Sequence, residues 1–202
     1  MGSLKARVAI FGILSVLGSN VFAAEIAFDL HAQHFSKAIA GQYEGARYEL
    51  PKAFVTTNLK YEDGAYVTKN ESGVLNVEVK TPIPDWSVSV DAFYVMGNSQ
   101  YKTRTIKVTS ENGESVLVSF KNLAVTFNGV KVHTPSERQR MTVAITQNSN
   151  EIGLVINGVI AGTATRATFG KLKYVDVQAI YEDDNSTGSD YDRVNSLIIG
   201  SK

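Results

Sequence analysis

The chain has 202 residues, of which 20 are basic and 20 acidic, so its formal net charge at pH 7 is zero. This length is sufficient for one domain with its own hydrophobic core. The balanced charge lacks the basic excess that is typical of nucleic-acid-binding proteins, so we expect no nucleic-acid partner. There is no cysteine. We therefore expect neither disulfides nor an anchor through a lipidated cysteine, and stability must come from packing.

The N-terminus has the three-part pattern of a bacterial secretory signal peptide. Lys5 and Arg7 supply positive charge, and residues 8–17 form an uncharged apolar run that is about half as long as a bilayer span requires. Small residues follow, and we predict cleavage after Ala23, with Ala24 as the alternative. Residues 1–23 would then be the signal peptide of a secreted or periplasmic protein with no membrane span. A short buried N-terminal helix is the alternative interpretation.

Residues 24–202 are predicted to form a single all-β domain. From Ala53 onward, short β-branched and aromatic runs are separated by turn residues at intervals of about eight to twelve, which is typical of a sandwich or barrel. The stretch from Leu30 to Leu50 lacks this alternation, so it is predicted to be a long loop or to contain one short helix. The polar stretch from Asp183 to Asp192 is the second interruption.

Four runs alternate apolar and polar residues, which predicts strands with one face packed on a core. The predicted inward residues are Trp86, Val88, Val90, Ala92 and Tyr94, then Val116, Val118 and Phe120, then Met141, Val143 and Ile145, and finally Val175, Val177 and Ala179. Ser87, Ser89, Asp91, Asp176 and Gln178 are predicted to point away from the core.

Three Asn-Gly pairs lie between the runs, at Asn112-Gly113, Asn128-Gly129 and Asn157-Gly158. Asparagine and glycine both tolerate the positive φ that tight hairpins require, so this dipeptide is a strong hairpin signal. We therefore predict an antiparallel meander over much of the chain. No internal repeat or linker divides the sequence after the signal peptide.

The order of these runs resembles the concanavalin A-like lectin and glucanase superfamily, and within it the laminin-G-like modules. Four pieces carry the resemblance: the strand at 86–90, the hairpin at Asn112-Gly113, the late hairpin between Met141 and Gly158, and the closing run from Asp192 to Gly200. The resemblance implies an antiparallel β-sandwich of the jelly-roll type, with two curved sheets of six or seven strands each. Residues 25–30 would form the first strand, beside the last.

The same resemblance implies glycan or protein binding on the concave sheet or at its rim, with calcium in several branches and glycosidases or polysaccharide lyases in others. Glycosidases require two carboxylates at a fixed separation. The alternating acidic triplet of the laminarinase-like members is missing, because Asp176 is the single acid of its strand and lies between Tyr174 and Gln178. We therefore predict no catalytic residue.

Candidate metal ligands are concentrated in the loop before the last strand. Calcium takes six to eight oxygen ligands, and the acidic residues of this loop supply several. Asp184 and Asp190 are the predicted calcium ligands, and an ordinary solvated loop is the alternative. His31, His34 and His133 are predicted surface residues, and His31 with His34 lacks the further ligands of a zinc site.

These features predict an exported, non-catalytic binding or adhesive protein that recognises a glycan or a cell-surface protein. A secreted polysaccharide lyase or hydrolase on the same fold is one alternative. A structural subunit of a surface fibre, assembled by strand donation, is another. The tyrosines that we consider as candidates for stacking on sugar rings are Tyr43, Tyr48, Tyr61, Tyr66, Tyr101 and Tyr181.

Overall fold

The computed structural model describes residues 25–31, 53–57, 60–62, 65–69, 72–94, 102–135, 139–165, 169–181 and 191–201. The strands in this part of the chain are β1 (Glu25–His31), β2 (Ala53–Thr57), β3 (Lys60–Glu62), β4 (Ala65–Lys69), β5 (Gly73–Ile83), β6 (Trp86–Tyr94), β7 (Lys102–Ser110), β8 (Ser115–Lys121), β9 (Ala124–Phe127), β10 (Val130–His133), β11 (Gln139–Asn148), β12 (Glu151–Ile156), β13 (Val159–Thr165), β14 (Leu172–Tyr181) and β15 (Tyr191–Ser201). None of the described segments is an apolar helix of membrane-spanning length.

The strands form two antiparallel sheets. One has eight strands in the order β13-β12-β11-β6-β15-β4-β3, with β1 also paired to β15. The β1 strand lies along residues 196–201 of β15, and β4 lies along residues 191–194, so both share one edge of that strand. The other sheet has seven strands in the order β10-β9-β8-β7-β14-β5-β2.

The pairing of β1 with β15 confirms that the first strand lies beside the last. The implied number of six or seven strands per sheet is wrong for the larger sheet, which has eight. The difference comes from its edge, where the short strands β3 and β4 form a hairpin with Tyr61 opposite Tyr66. A three-residue strand is too short for alternation to reveal it.

Within the described residues, the hydrophobic core takes alternate side chains from β5, β6, β7, β8, β9, β11, β12, β14 and β15. The predicted inward residues of β6, β8, β11 and β14 are all buried, which confirms the predicted faces, except that the side chain of Tyr94 is outside the described part. Leu75 and Val77 of β5, Ile106 and Val108 of β7, and Leu197 and Ile199 of β15 complete the same cluster. Burial of each such side chain contributes about 1.5–3 kcal/mol, so this packing stabilises a chain without disulfides.

Two of the three Asn-Gly pairs form two-residue hairpins. The φ angles are 49° and 85° at Asn128-Gly129, and 51° and 82° at Asn157-Gly158. Positive φ at both positions defines the turn whose twist suits a hairpin. At Asn112-Gly113 only the glycine has positive φ. The loop from β7 to β8 is longer there, and the Gly113 N–H donates to the Ser110 carbonyl at 3.1 Å. The hairpin there is confirmed with a different turn.

The two tight hairpins share a hydrogen-bond arrangement. The Asn157 N–H donates to the Thr142 carbonyl at 2.8 Å, and the Thr142 N–H donates to Asn157 Oδ1 at 2.9 Å. Asn128 makes the same two bonds with Leu117, at 2.8 and 3.0 Å. Each turn asparagine therefore ties its hairpin to the strand on the far side, which is β11 in one sheet and β8 in the other.

A further tight hairpin, between β8 and β9, has no glycine. Asn122 and Leu123 have φ angles of 51° and 55°. A left-handed conformation costs a residue with a Cβ about 1–2 kcal/mol. The partly buried Leu123 side chain packs against the core, and this contact offsets the cost.

We expect Asn157→Ala to lower the free energy of unfolding by about 2 kcal/mol, because the variant loses a side-chain hydrogen bond and because alanine tolerates positive φ less well than asparagine does. Asn157→Gly should cost only about 1 kcal/mol, since glycine accepts the backbone conformation and loses the hydrogen bond alone. Urea denaturation measures both, and the same pair at Asn128 provides an independent repeat in the other sheet. Wild-type stability in both alanine variants would contradict this account of the turns.

Candidate functional site

The outward face of the seven-stranded sheet carries polar side chains on the neighbouring strands β5 and β14. Because Leu75 and Val77 are buried in the core, Asn76 and Glu78 point outward from β5. On β14 the buried Val175 and Val177 turn the residue between them, Asp176, outward in the same way. In register, Asn76 lies opposite Asp176 and Glu78 lies opposite Tyr174. We call Asn76, Glu78, Lys173, Tyr174 and Asp176 the polar cluster.

A β-bulge brings Lys173 into the polar cluster. Leu172 pairs with Ser110 and Tyr174 pairs with the adjacent Thr109, so Lys173 is an extra residue on β14. The bulge allows two consecutive side chains, Lys173 and Tyr174, to reach one side of the sheet. A regular strand would place them on opposite faces.

Both side chains contact the same carboxylate oxygen. Lys173 Nζ is 3.1 Å from Glu78 Oε1, and the Tyr174 hydroxyl donates to that oxygen at 3.3 Å. The exposed fraction of the side chain is 21% for Lys173 and 13% for Glu78. This ion pair is therefore partly shielded from water. Charge-assisted hydrogen bonds are stronger at such a site than at a fully exposed one.

Asp176 is held by a different partner. The Asn76 Nδ2 group donates to Asp176 Oδ1, across the two strands. Asp176 is half-buried, and an ionised carboxylate has about four acceptor positions, more than this bond uses. In the polar cluster, the Asp176 carboxylate is thus an oriented hydrogen-bond acceptor beside the aromatic ring of Tyr174.

A row of hydroxyl side chains continues from the polar cluster across the sheet. Gln178 of β14 lies opposite Thr105 of β7, which lies opposite Ser119 of β8, which in turn lies opposite Thr126 of β9. Neighbouring strands are about 4.8 Å apart, so the row spaces its groups at about that interval. Thr105 is largely buried at 8% exposure, whereas Ser119 and Thr126 are half-buried.

The outward face of the eight-stranded sheet offers less for a ligand. Arg140 Nε donates to Asp91 Oδ1 at 2.9 Å and its Nη2 pairs with the second carboxylate oxygen. The hydrogen bond and the attraction to Asp91 raise the pKa of Arg140. Because the Arg140 side chain is 67% exposed, this pair contributes little to stability. Ala144 and Val155, which lie opposite each other on this face, are buried and apolar.

The structure places Asp176 where the sequence predicts it, outward and between Tyr174 and Gln178. No strand of the seven-stranded sheet carries more than one outward carboxylate within the described residues. The sequence reasoning missed Glu78, which is 96 residues from Tyr174 along the chain. The alternation of Asn76 and Glu78 with buried neighbours is the signal that marks them as outward.

Several predicted residues lie outside the part of the chain that the structure describes. They are the calcium candidates Asp184 and Asp190, His34, and the cleavage positions Ala23 and Ala24. The calcium site and the signal peptide therefore stay predictions. Among the described residues, no group of three or more histidine or acidic side chains is arranged to hold a metal ion.

The predicted aromatic residues are also not those of the polar cluster. Tyr61 and Tyr66 belong to the β3–β4 hairpin of the eight-stranded sheet. The aromatic ring of the polar cluster is Tyr174, whose ring centroid is 5.9 Å from Lys173 Nζ. His133 is half-buried at the end of β10, on a strand far from β14 in the sheet order.

No protein-family model matches the chain, and a comparison with curated proteins gives no match. Solved structures are similar to it. The potassium-bound carbohydrate recognition domain of Emp46p has 11% identity and a TM-score of 0.57, over 72% of this chain and 87% of that one. A Bacillus licheniformis β-glucanase has 14% identity and a TM-score of 0.52, over 72% of this chain and 82% of that one. A sialidase has 10% identity and a TM-score of 0.54 over 68% of this chain. The match covers 15% of the length of that sialidase.

Similarity at these identities shows the fold. The chain has the fold of these structures, an antiparallel two-sheet jelly roll, as the sequence predicted. One fold of this kind supports many functions, so function has to be argued from the residues of the site.

We expect Lys173→Met to lower the free energy of unfolding by about 1–3 kcal/mol, because it leaves the half-buried Glu78 without its ammonium partner. Glu78→Gln in the same chain should recover part of this loss, since a neutral amide needs no cation. A double-mutant cycle measured by urea denaturation gives the coupling between the two residues, which should be about 1 kcal/mol.

The matched control is Lys171→Met. Lys171 is an exposed lysine two residues away, and no ion pair involves it within the described residues. Its replacement should change stability by less than about 0.5 kcal/mol. A coupling of zero between Lys173 and Glu78, or an equal effect at Lys171, would refute the network.

Proposed function

We propose that the protein is an exported, non-catalytic glycan-binding protein, and that its binding surface is the outward face of the seven-stranded sheet around the polar cluster. The observation that carries this proposal is the hydrogen-bonded network of half-buried polar side chains on an outward sheet face. Sugars present hydroxyl groups that donate and accept hydrogen bonds and apolar ring faces that stack on aromatic side chains. Carboxylate, amide and phenol groups on one surface match that chemistry.

Preorganisation supports binding at this site. Lys173 and Tyr174 fix the position of Glu78, and Asn76 fixes that of Asp176. Side chains that are already held in place lose little conformational entropy when a ligand binds. The hydroxyl row on β7, β8 and β9 extends the surface beyond the polar cluster and suits a ligand longer than one sugar unit.

The similar structures are consistent with a glycan ligand, because one is a carbohydrate recognition domain and another a β-glucanase. The contacts of the polar cluster favour binding over hydrolysis. A glycosidase needs a carboxylic acid that donates a proton to the leaving oxygen. Glu78 accepts from an ammonium and a phenol, and Asp176 accepts from an amide, so both carboxylates are engaged as acceptors.

One observation favours hydrolysis as the second candidate function. Asp176 lies opposite Asn76, so Glu78 is its diagonal neighbour on the adjacent strand. Diagonal neighbours are about 7–8 Å apart, within the range of about 6.5–9.5 Å between the carboxyl groups of inverting glycosidases. Product analysis therefore belongs in the functional test.

Export is part of the proposal. The charge order and short apolar run of residues 1–23 support it. The first strand begins at Glu25, so cleavage after Ala23 or Ala24 would leave every described strand intact. N-terminal sequencing of protein recovered from the periplasm and medium of an expressing bacterium tests the cleavage site directly.

The binding test uses the chain from Ala24 onward, as cleavage after Ala23 would leave it, and a panel of neutral and acidic polysaccharides in affinity electrophoresis. Asn76→Ala and Asp176→Ala should each weaken binding about tenfold or more, because a hydrogen bond to a charged group contributes about 1.5–3 kcal/mol. Asp91→Ala, on the outward face of the other sheet, is the matched control and should bind as the wild type does.

Binding that is unaffected by the Asn76 and Asp176 variants would place the site elsewhere, and absence of binding to every glycan would refute the function. Each mixture is also assayed for new reducing ends and unsaturated products. Products that form with the wild type and disappear with Glu78→Gln and Asp176→Asn would establish the hydrolytic alternative.

A further inference from the structure

Two polar side chains lie in the core at one end of the sandwich, on the inward face of the eight-stranded sheet. Trp86 begins β6, and Gln147 continues the inward row of β11 two residues after Ile145. The register of these strands places Thr146 opposite Ser87, so Gln147 lies beside Trp86. The exposed fraction is 1% for Trp86 and 8% for Gln147, which closes both side chains to bulk solvent.

The orientation of the Gln147 amide is determined by two carbonyl groups. Its Nε2 group donates to the Phe169 carbonyl at 3.1 Å and to the Ser149 carbonyl at 3.3 Å. A carbonyl oxygen can only accept, so the nitrogen must face these two groups and the Oε1 atom must face away from them. Oε1 is then a buried acceptor, and no donor in the described residues reaches it.

Trp86 has the complementary group. Its Nε1–H is buried and donates to no acceptor in the described part of the chain. The Trp86 ring packs on the ring of Phe169, with 5.6 Å between the ring centroids, and Phe169 also supplies a carbonyl to the Gln147 amide. An unpaired donor and an unpaired acceptor therefore lie around one residue. Burial of either group without a hydrogen bond is unfavourable.

The surroundings of this pair suit a small neutral ligand. Ile152 lies opposite Gln147 on β12 and is fully buried. The nearest acid along the chain, Asp85, is exposed and accepts from the Ser149 N–H at 3.4 Å. An ion at this site would lose its hydration without gaining an opposite charge, which is unfavourable. The ligand must both accept and donate a hydrogen bond, and water is the smallest molecule that does so.

We propose that Trp86, Gln147 and Phe169 form a buried site for one structural water molecule. The water accepts from the Trp86 Nε1–H and donates one hydrogen to Gln147 Oε1. Its second hydrogen bonds to the Phe169 carbonyl, which has two lone pairs, of which the Gln147 amide uses one. Buried waters make about three such bonds to groups that otherwise lack partners.

This water joins the two sheets. Trp86 and Gln147 belong to β6 and β11 of the eight-stranded sheet, whereas Phe169 lies just before β14 of the seven-stranded sheet. This end of the sandwich is then held by a polar link in addition to apolar packing. The site lies on the inward side of the sheet, so it is separate from the polar cluster and does not depend on glycan binding.

The chain has a single tryptophan, so one indole N–H resonance in the NMR spectrum reports on this site alone. The protein is labelled with 15N and purified as the expressing bacterium yields it. Transfer of magnetisation from water to the indole proton is measured as an NOE and as an ROE. A water that stays bound for longer than the protein takes to tumble gives cross-peaks of opposite sign in the two experiments, whereas proton exchange with bulk water gives the same sign. We expect opposite signs.

Two glutamine variants test the partner of the water. Gln147→Met keeps the approximate volume of the side chain and removes the acceptor, so the water cross-peaks should disappear. Gln178→Met changes a half-buried glutamine on the outward side of β14 and is the matched control, which should keep them. A crystal structure of the wild type gives a measurement without a variant. It should show a water about 2.7–3.2 Å from both Trp86 Nε1 and Gln147 Oε1.

The wild-type measurements decide the inference even if Gln147→Met fails to fold. Cross-peaks of the same sign, or none, would overturn the site. So would a crystal structure in which the Trp86 Nε1–H donates directly to Gln147 Oε1. Cross-peaks that persist in Gln147→Met, or that also disappear in Gln178→Met, would overturn the assignment of Gln147 as the acceptor. The glycan-binding test has no bearing on any of these outcomes.

Discussion

The packing of the two sheets against each other fixes the positions of the functional side chains in this protein. Without a cysteine, the chain depends on its buried apolar residues for stability, and strand geometry requires that these alternate with outward residues. Burial of Val175 and Val177 therefore determines that Asp176 points outward, just as burial of Leu75 and Val77 determines the direction of Asn76. A substitution that changed the register of β5 or β14 by one residue would turn that strand's share of the polar cluster toward the core.

Two departures from regular backbone geometry show how packing acts, one in the polar cluster and one at a turn. The bulge at Lys173 places two consecutive residues on one face, and the ion pair with Glu78 depends on it. At the β8–β9 turn, Leu123 takes a left-handed conformation that a glycine would take more easily, and core contact holds it there. In both places tertiary packing outweighs the local backbone preference, so the feature exists only in the folded chain.

This distinction explains what the sequence predicts and what it does not. Alternation and Asn-Gly pairs are local signals, so they identify β6, β8, β11 and β14 with their buried faces, and three hairpins. The partner of Asp176 is not a local property, because Asn76 lies 100 residues earlier and meets it only through the order β7-β14-β5. The bulge at Lys173 has no signal in its own sequence, since Leu-Lys-Tyr-Val also reads as a regular strand. A site assembled across strands thus requires the sheet order, which alternation cannot supply.

The net charge of the chain is a second example of a sequence property that does not determine a local surface. A net charge of zero argues against a general affinity for polyanions, yet it is a sum over every face of the molecule. The sheet order sets Lys107 opposite Asp176 and gives the acid of β5 its own cation, Lys173. Attraction between charges at the surface decays within about 8–10 Å at physiological salt, so a bound ligand responds to this local surface and not to the total. The charge of each surface therefore depends on how the strands are ordered more than on the composition of the chain.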